Sequence, residues 1–377
     1  MIREKIIPRT DWQQQVENLG FSFHTLNGIA YWDESASYKF SSDEIEVLEK
    51  ASAGVYSLCL KAVQHVIDNN LFHLFRIPDA FIDLIKQSWA EKFPSVYGRF
   101  DFCWNGNLSE PPKMLEFNAD TPTSLFEASI VQWQWQKALH PDADQFNSIH
   151  EKLIEQWKRT KKKLQNETLY FSCLDEFPED YVTVSYLQDC ASEAGLETEY
   201  IPVHEIGWNG AGFTDNFENR IHGIFKLYPW EWLVNEEFGA HLHDSDTIWI
   251  EPAWKMLLSN KAILAILWEL FPNHPNLLEC YFDTPKTLKS FAAKPLLSRE
   301  GANIKIVEND ELLEETAGDY GEEGFIFQQL CKLPEFDGNF AVIGSWMIGG
   351  KPAGMGIRES STLVTSNTSR FLPHYFE

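Results

Sequence analysis

Between Gly98 and Asn118 the apolar residues recur at every second position, first through Gly98-Arg-Phe-Asp-Phe-Cys-Trp104 and again through Pro112-Lys-Met-Leu-Glu-Phe-Asn118. Alternation of this kind turns successive side chains to opposite faces of a strand, and Asn105-Gly106 between the two runs offers a turn. The segment therefore predicts two antiparallel strands. Phe100, Phe102, Leu115 and Phe117 fill one face, while Arg99 and Asp101 on the first strand and Glu116 and Asn118 on the second share the other. If the register aligns these polar pairs, three oxygen donors (Asp101, Glu116 and Asn118) converge beside one guanidinium. Carboxylate and amide oxygens suit a hard cation such as Mg2+, which is usually held together with water and substrate phosphates. A solvent-facing hairpin with cross-strand salt bridges satisfies the same pattern. An Asn set between apolar neighbours in a strand is the detail that favours the metal.

The hairpin sits inside an α/β pattern. Ser42 to Asn69 and Ala80 to Lys92 read as amphipathic helices, and Ser124 with Glu127 makes a capping box for an apolar helix ending near Leu139. A polar helix over 149–163 leads into a strand from Thr168, a helix from Tyr181 to Ala194 and a strand from Leu196 to Val203, which is the spacing of a parallel α/β unit. No G-x-G-x-x-G follows its first strand, and Gly210-Ala-Gly212 lacks the third glycine, so a dinucleotide site is not supported. A helix from Ser259 to Phe271 ends at Pro272, and from Phe291 the chain is rich in strands. The expectation is an α/β protein of at least two intertwined lobes.

With 56 Asp and Glu against 31 Lys and Arg, the formal charge is −25. That excess repels phosphate backbones and anionic headgroups, so no nucleic-acid or membrane-surface role is expected. The longest apolar run, Ala262 to Phe271, is far short of the roughly 20 residues of a membrane span. The N-terminus has no apolar signal region, and six cysteines without a C-x-x-C pair suit reduced thiols. A cytoplasmic protein is expected.

In so acidic a chain, cations inside apolar strands carry weight. Lys294 in Phe-Ala-Ala-Lys-Pro and Arg358 in Met-Gly-Ile-Arg-Glu are such cations, and Lys294 is followed by Ser298-Arg-Glu-Gly-Ala-Asn303, a short loop whose N–H groups can fold over phosphates. Edge positions or surface ion pairs explain each cation singly. Taken together with the acidic hairpin they describe a triphosphate site. Thr121, Thr123 and Ser124, ahead of the helix, can cap it or hold substrate. No H-E-x-x-H or G-x-S-x-G occurs, which leaves zinc and serine-hydrolase readings without an anchor.

At Arg99-Phe-Asp101 and Leu-Glu116-Phe-Asn118-Ala-Asp-Thr-Pro-Thr-Ser the sequence resembles the synthetase domain of the glutathionylspermidine synthase family, and more closely its stand-alone acid–amine ligase branch. The likeness continues through Glu251-Pro-Ala-Trp-Lys, Leu-Ser-Asn-Lys261, Ala-Lys294-Pro, Arg299-Glu-Gly301-Ala-Asn-Ile, Phe-Gln-Gln329-Leu and Gly-Ile-Arg358-Glu-Ser, and covers nearly the whole chain. The resemblance implies a circularly permuted α+β ATP-grasp fold with an inserted Rossmann-like pre-ATP-grasp domain. Residues 1–165 and 259–377 would form the two parts of the ATP-grasp unit, and 166–258 the insert.

It further implies an ATP-dependent ligase joining a small-molecule or peptide carboxylate to an amine, such as a polyamine, through an acyl phosphate. Asp101, Glu116 and Asn118 would bind Mg2+. Arg99 would stabilise the transition state, and Arg358 would lie in the catalytic groove. Lys261 and Lys294 would hold the ATP phosphates under the loop around Gly301. Gln329 would lie by the adenine, with a strand from Leu363 through Val364 to Thr365 and the run Arg99, Phe100, Asp101 also against the nucleotide. Thr121, Thr123, Glu231 and Arg299 would face the acid or amine. The chain opens directly on the synthetase region, so hydrolysis of a conjugate is not expected. The loop after Asn118 lacks the serine-rich sequence ending in cysteine of glutathione-using members, which makes a different substrate pair the expectation. A phosphotransferase or a non-catalytic ATP-binding protein on the same fold remain as rival readings, and the sequence sets no oligomeric state.

Overall fold

The computed structural model describes residues 1–26, 28–164, 167–367 and 369–377. The expected domain boundary at 165/166 lies outside the described residues. After short strands and a short helix comes a long helix, α1 (Ser42–Asp68), started by the reciprocal bonds of Ser41 and Glu44. These satisfy two of the N–H groups that a helix start leaves open. Its buried stripe, Ile45, Leu48, Val55, Cys59, Ala62 and Val66, follows the three-to-four spacing of an amphipathic helix. After α2 (Ile82–Ala90) come β1 (Tyr97–Cys103) and β2 (Lys113–Asn118).

The hairpin pairs Arg99 with Asn118 and Asp101 with Glu116, so the polar pairs are in register. Phe100 and Phe117 stack on the opposite face with ring centroids 4.0 Å apart, in the core that α1 covers. Two expectations need correction. The connection is a nine-residue loop from 104 to 112, in which Gly106 alone takes a left-handed φ of 84°, so Asn105-Gly106 is no tight turn. The register also slips beyond Asp101, and Phe102 pairs with Met114. Leu115 is the extra residue of this β-bulge and turns toward the cleft, while Met114 takes its place in the core.

Beyond α3 (Ile149–Lys161) the chain builds a four-stranded parallel sheet from β3 (Leu169–Cys173), β4 (Thr198–Tyr200), β5 (Gly223–Leu227) and β6 (Ile248–Ile250), in the order β6-β5-β3-β4, with α4 (Pro178–Glu193) crossing over between β3 and β4. The parallel unit is present as expected. Gly210 and Gly212 belong to the turn of a small antiparallel hairpin. The helix expected over 259–271 is broken: one turn ends at Ser259 and α5 starts at Ala262. Asn260 is extended, and its side chain accepts the Ala262 N–H, which caps the new helix.

Further strands complete the two antiparallel sheets that bear on the site. β7 (Cys280–Phe282), β8 (Phe291–Pro295), β9 (Lys305–Glu308), β10 (Glu311–Glu315) and β11 (Phe325–Gln329) pair in the order β7-β11-β8-β9-β10. Lys294 thus lies on an interior strand. β12 (Asn339–Ile348), β13 (Lys351–Ser360) and β14 (Arg370–Leu372) join the hairpin in the order β14-β13-β12-β1-β2. Between β13 and β14, residues 363–365 form a bend and not the expected strand, because the Leu363 and Val364 N–H groups donate to the Glu314 carboxylate at 2.7 and 3.3 Å. No helix among the described residues is long and apolar enough to cross a membrane.

Candidate active site

The two antiparallel sheets enclose a cleft of about 420 Å³, into which the polar face of the hairpin points. Arg99 lies at its floor. The guanidinium donates to both Asp101 oxygens at 2.7 and 3.0 Å and to the Thr123 carbonyl at 2.6 Å. Gly344, opposite Asp101 on β12, makes room for it: a Cβ there would stand 2.9 Å from Arg99 Cδ. Asn118 Nδ2 donates to Asp101 at 3.1 Å and to Glu116 at 3.3 Å, so an amide dipole lies between the two carboxylates.

That set fits Mg2+, which takes one or two carboxylates and fills its remaining positions with water and substrate phosphates. A half-turn of the Asn118 amide would present its oxygen to the same point. Among the described residues no group of three or more His, Cys, Asp or Glu side chains is arranged for a metal, so this pair with its amide is the candidate. Burial and the neighbouring Glu116 push the Asp101 carboxyl up, against the pull of Arg99. Glu116 would also be raised by burial, yet Lys261, Lys294 and Arg99 hold it down at about 2.

The lysines converge on this point, Lys294 from the facing sheet and Lys261 from the start of α5. Lys261, in the break before α5, reaches the Ser298 carbonyl at 2.6 Å and Glu116 at 3.3 Å. Lys294 donates to Gln328 Oε1 at 2.8 Å and to the Leu115 carbonyl at 3.1 Å. Burial lowers its pKa, offset in part by Glu116. The 298–303 loop packs against the 363–366 bend. Gly301 has φ of 73°, and a Cβ there would meet the Thr365 carbonyl at 2.7 Å, so only glycine suits this approach. Ile304, Ile306, Val364 and Ala292 form a small apolar cluster beside Leu330 and Leu363, and Gln329 opens onto the same end.

At the other end Arg299 donates to Glu231 at 2.7 Å and to the Thr121 hydroxyl at 2.6 Å. Both partners are fixed from below by Asp120, which is fully buried. It accepts from Lys226 Nζ and from the Trp230 N–H, each at 2.9 Å. A second buried lysine, Lys255, pairs with Glu251 at 2.7 Å and donates to the Ala119 carbonyl at 2.9 Å. The parallel sheet thereby grips the loop that follows the hairpin.

Every expected site residue except Phe100 lines the cleft. Phe100 is corrected: its ring lies in the core on the far face of β1, where alternation must put it if Arg99 and Asp101 face the site. Ser124 and Glu127 form no capping box. Ser124 is left-handed (φ 69°), and its hydroxyl instead meets Tyr31 at 2.9 Å and Arg358 at 3.1 Å, while Glu127 accepts from Tyr31 at 2.6 Å. Arg358 also donates to the carbonyls of Ser366, Asn367 and Ser369 at 3.0 to 3.1 Å, which makes it the residue that holds the bend closing the cleft.

Sequence reasoning missed Gln328, Gly344, Asp120 and an acidic group behind Arg358. In that group Glu127 Oε2 and Glu179 Oε1 are shut from solvent without a hydrogen-bond partner. Burial and the charge of Glu127 push Glu179 up to about 8, and burial with Glu300 pushes Asp180 up to about 6. Pro178-Glu179-Asp180 reads as an ordinary helix start, so nothing local marks it. In the unfolded chain Glu179 would ionise near 4.3, so between about pH 5 and 8 the folded state binds more protons and its stability falls as pH rises. Glu179→Gln is expected to flatten that fall, read as the difference in Tm between pH 5 and pH 8. An unchanged slope would contradict the assignment.

Two facing sheets, with an acidic hairpin in one and Lys294 on an interior strand of the other, make an ATP-grasp-type fold. A glutathione synthetase-like effector from Globodera pallida shares the fold, with a TM-score of 0.58 over 97% of this chain and 96% of that one at 9% identity. Residues 3–377 match the glutathionylspermidine synthase preATP-grasp family, and the chain belongs to it. It is 42% identical, over 98% of its length and 97% of the relative's, to a Haemophilus influenzae protein named "Putative acid–amine ligase". Trypanothione synthetase of Crithidia fasciculata is 30% identical over 83% of this chain and 52% of that enzyme. The bifunctional glutathionylspermidine synthetase/amidase of Escherichia coli is 28% identical over 96% of this chain and 63% of that enzyme. The chain therefore spans less than two thirds of the length of these last two relatives.

Proposed function

We propose that the protein is an ATP-dependent ligase that activates a small-molecule or peptide carboxylate as an acyl phosphate and joins it to an amine. The observation that carries this reading is the convergence of Arg99, Lys261 and Lys294 on the Asp101–Glu116–Asn118 face within one cleft. Phosphoryl transfer asks for positioning and charge neutralisation more than for covalent help, and this is what such a set supplies.

In the proposed reaction Lys261 and Lys294 bind the phosphates of ATP beneath the Gly301 loop, and the apolar cluster around Ile304 and Val364 takes the base with Gln329. Asp101, Glu116 and Asn118 would hold Mg2+, which when bound neutralises charge on the phosphates. Arg299, Thr121 and Glu231 orient the carboxylate so that its oxygen attacks the γ-phosphorus and ADP leaves. Thr123 contributes its carbonyl to the placement of Arg99. Arg99 then stabilises the negative charge on the transferred group and on the tetrahedral oxyanion formed as the amine attacks. Arg358 serves as a positioning residue that keeps water from the acyl phosphate by holding the carbonyls of Ser366, Asn367 and Ser369.

We further propose that 1–165 and 259–377 are the two parts of the ATP-grasp unit and 166–258 its insert. This is supported by a parallel sheet confined to residues 169–250. Buried or half-buried free thiols among the described residues agree with a cytoplasmic setting. ADP release over a panel of free acids and peptides crossed with amino acids and polyamines tests the function. Turnover that needs both partners is expected. Turnover with the acid alone, ending in a phosphorylated acid, would replace the ligase by a phosphotransferase.

A further inference from the structure

Four cysteines, Cys59, Cys173, Cys190 and Cys280, are packed into the hydrophobic cores. Cys103 and Cys331 are placed differently, and the proposed reaction uses neither. Cys103 ends β1, and its thiol donates to the Lys332 carbonyl at 3.3 Å. Cys331 belongs to the segment Leu330–Lys332, which leaves β11 and lines the nucleotide end of the cleft. The Cys103 sulfur thereby lies against the peptide that follows Cys331, which brings together two cysteines 228 positions apart in sequence. Cys103 is buried, whereas Cys331 is half-buried and open to the cleft. The neighbouring Cys103 thiol, opposed by burial and assisted by Lys113 and Lys294, holds the Cys331 thiol below the usual range, and the thiolate is the reactive form.

We propose that Cys103 and Cys331 form a dithiol modification site at the rim of the cleft, closed to a disulfide by low-molecular-weight disulfides, and that this bond and bound ATP oppose each other. The Cys331 thiolate attacks one sulfur of R–S–S–R and expels RS⁻, leaving a mixed disulfide. The Cys103 sulfur then displaces the second RS⁻ from Cys331 while its proton passes to that leaving group. The protein loses two hydrogens, and the oxidant leaves as two thiols.

An S–S bond of about 2.05 Å is much shorter than a thiol–thiol contact, so closure draws the Leu330–Lys332 segment onto β1. That segment shapes the nucleotide end of the cleft, and Lys332 pairs from it with Glu308 on β9. A bond that distorts the nucleotide site must in turn be disfavoured by the nucleotide, to the same factor. The part of the inference that names ATP rests on the function proposed above. The bond itself does not.

The test treats the full chain with glutathione disulfide, with and without Mg-ATP, and reads peptide masses and the thermal shift given by Mg-ATP. The expected result is a Cys103–Cys331 cross-linked peptide whose formation Mg-ATP slows. In the oxidised protein, half-maximal thermal shift should need roughly tenfold more Mg-ATP, and dithiothreitol should restore the original value. Cys103→Ser keeps a donor for the Lys332 carbonyl and should show no loss of Mg-ATP response on oxidation; Cys103→Ala serves if the serine variant is unstable. A glutathione adduct on Cys331 without the cross-link, or a cross-linked protein with an unchanged Mg-ATP response, would overturn the proposal. Absence of any Mg-ATP shift in the reduced protein would count against the nucleotide reading instead, and the cross-linked mass would still decide whether the disulfide forms.

Discussion

Arg99→Ala is expected to lower ATP-dependent amide formation by about a hundredfold or more, the usual cost of removing a preorganised donor from a developing oxyanion. The guanidinium is fixed on three sides, by both oxygens of Asp101 and the Thr123 carbonyl, with Gly344 leaving space beneath it. It is therefore ordered before substrate arrives, which is the condition for a large electrostatic contribution. Alanine also leaves the Asp101 carboxyl without its cation, so unfolding should be easier by about 1–3 kcal/mol. Circular dichroism and denaturant unfolding separate that loss from the kinetic one. A folded variant that turns over at the wild-type rate would remove Arg99 from the chemistry.

Lys294→Met is expected to abolish stabilisation by Mg-ATP. Ligand at a hundredfold excess over Kd adds about 2.7 kcal/mol to the wild-type protein. Methionine preserves most of the side-chain volume on interior strand β8 but takes away the charge that Gln328 and the Leu115 carbonyl aim into the cleft. Glu116 loses one of the cations that hold it ionised, so the opposite wall suffers as well. Thermal unfolding with and without Mg-ATP reads the effect, and an undiminished shift would place the phosphates elsewhere.

The hairpin was legible because a period of two fixes which residues share a face whatever the rest of the chain does. Its register was not, because the slip at Leu115 depends on a bulge that no local pattern marks. Lys294 and Arg358 stood out as cations in apolar surroundings, whereas Lys261 was marked only by the family resemblance. Gln328 did not, since a buried glutamine in a strand gains meaning only from the lysine across from it. The capping-box pattern at Ser124 and Glu127 was present in the sequence. It failed because Tyr31 and Arg358, 93 and 234 positions away, claimed both side chains. Glu179 was hidden for the converse reason: an acidic residue in a first helical turn has a sufficient local explanation. Site residues defined by their own strand could be read, and those defined by a distant partner could not.

The proposed reaction transfers a carboxylate oxygen to phosphate and then passes the acyl group to an amine. The most direct measurement runs the reaction with an acid whose carboxylate carries ¹⁸O, found from the acid-by-amine panel, and weighs every product. The prediction is one ¹⁸O in the released phosphate and an amide whose mass is that of acid plus amine less one labelled water. Unlabelled phosphate, or ADP formed with no amide, would contradict it.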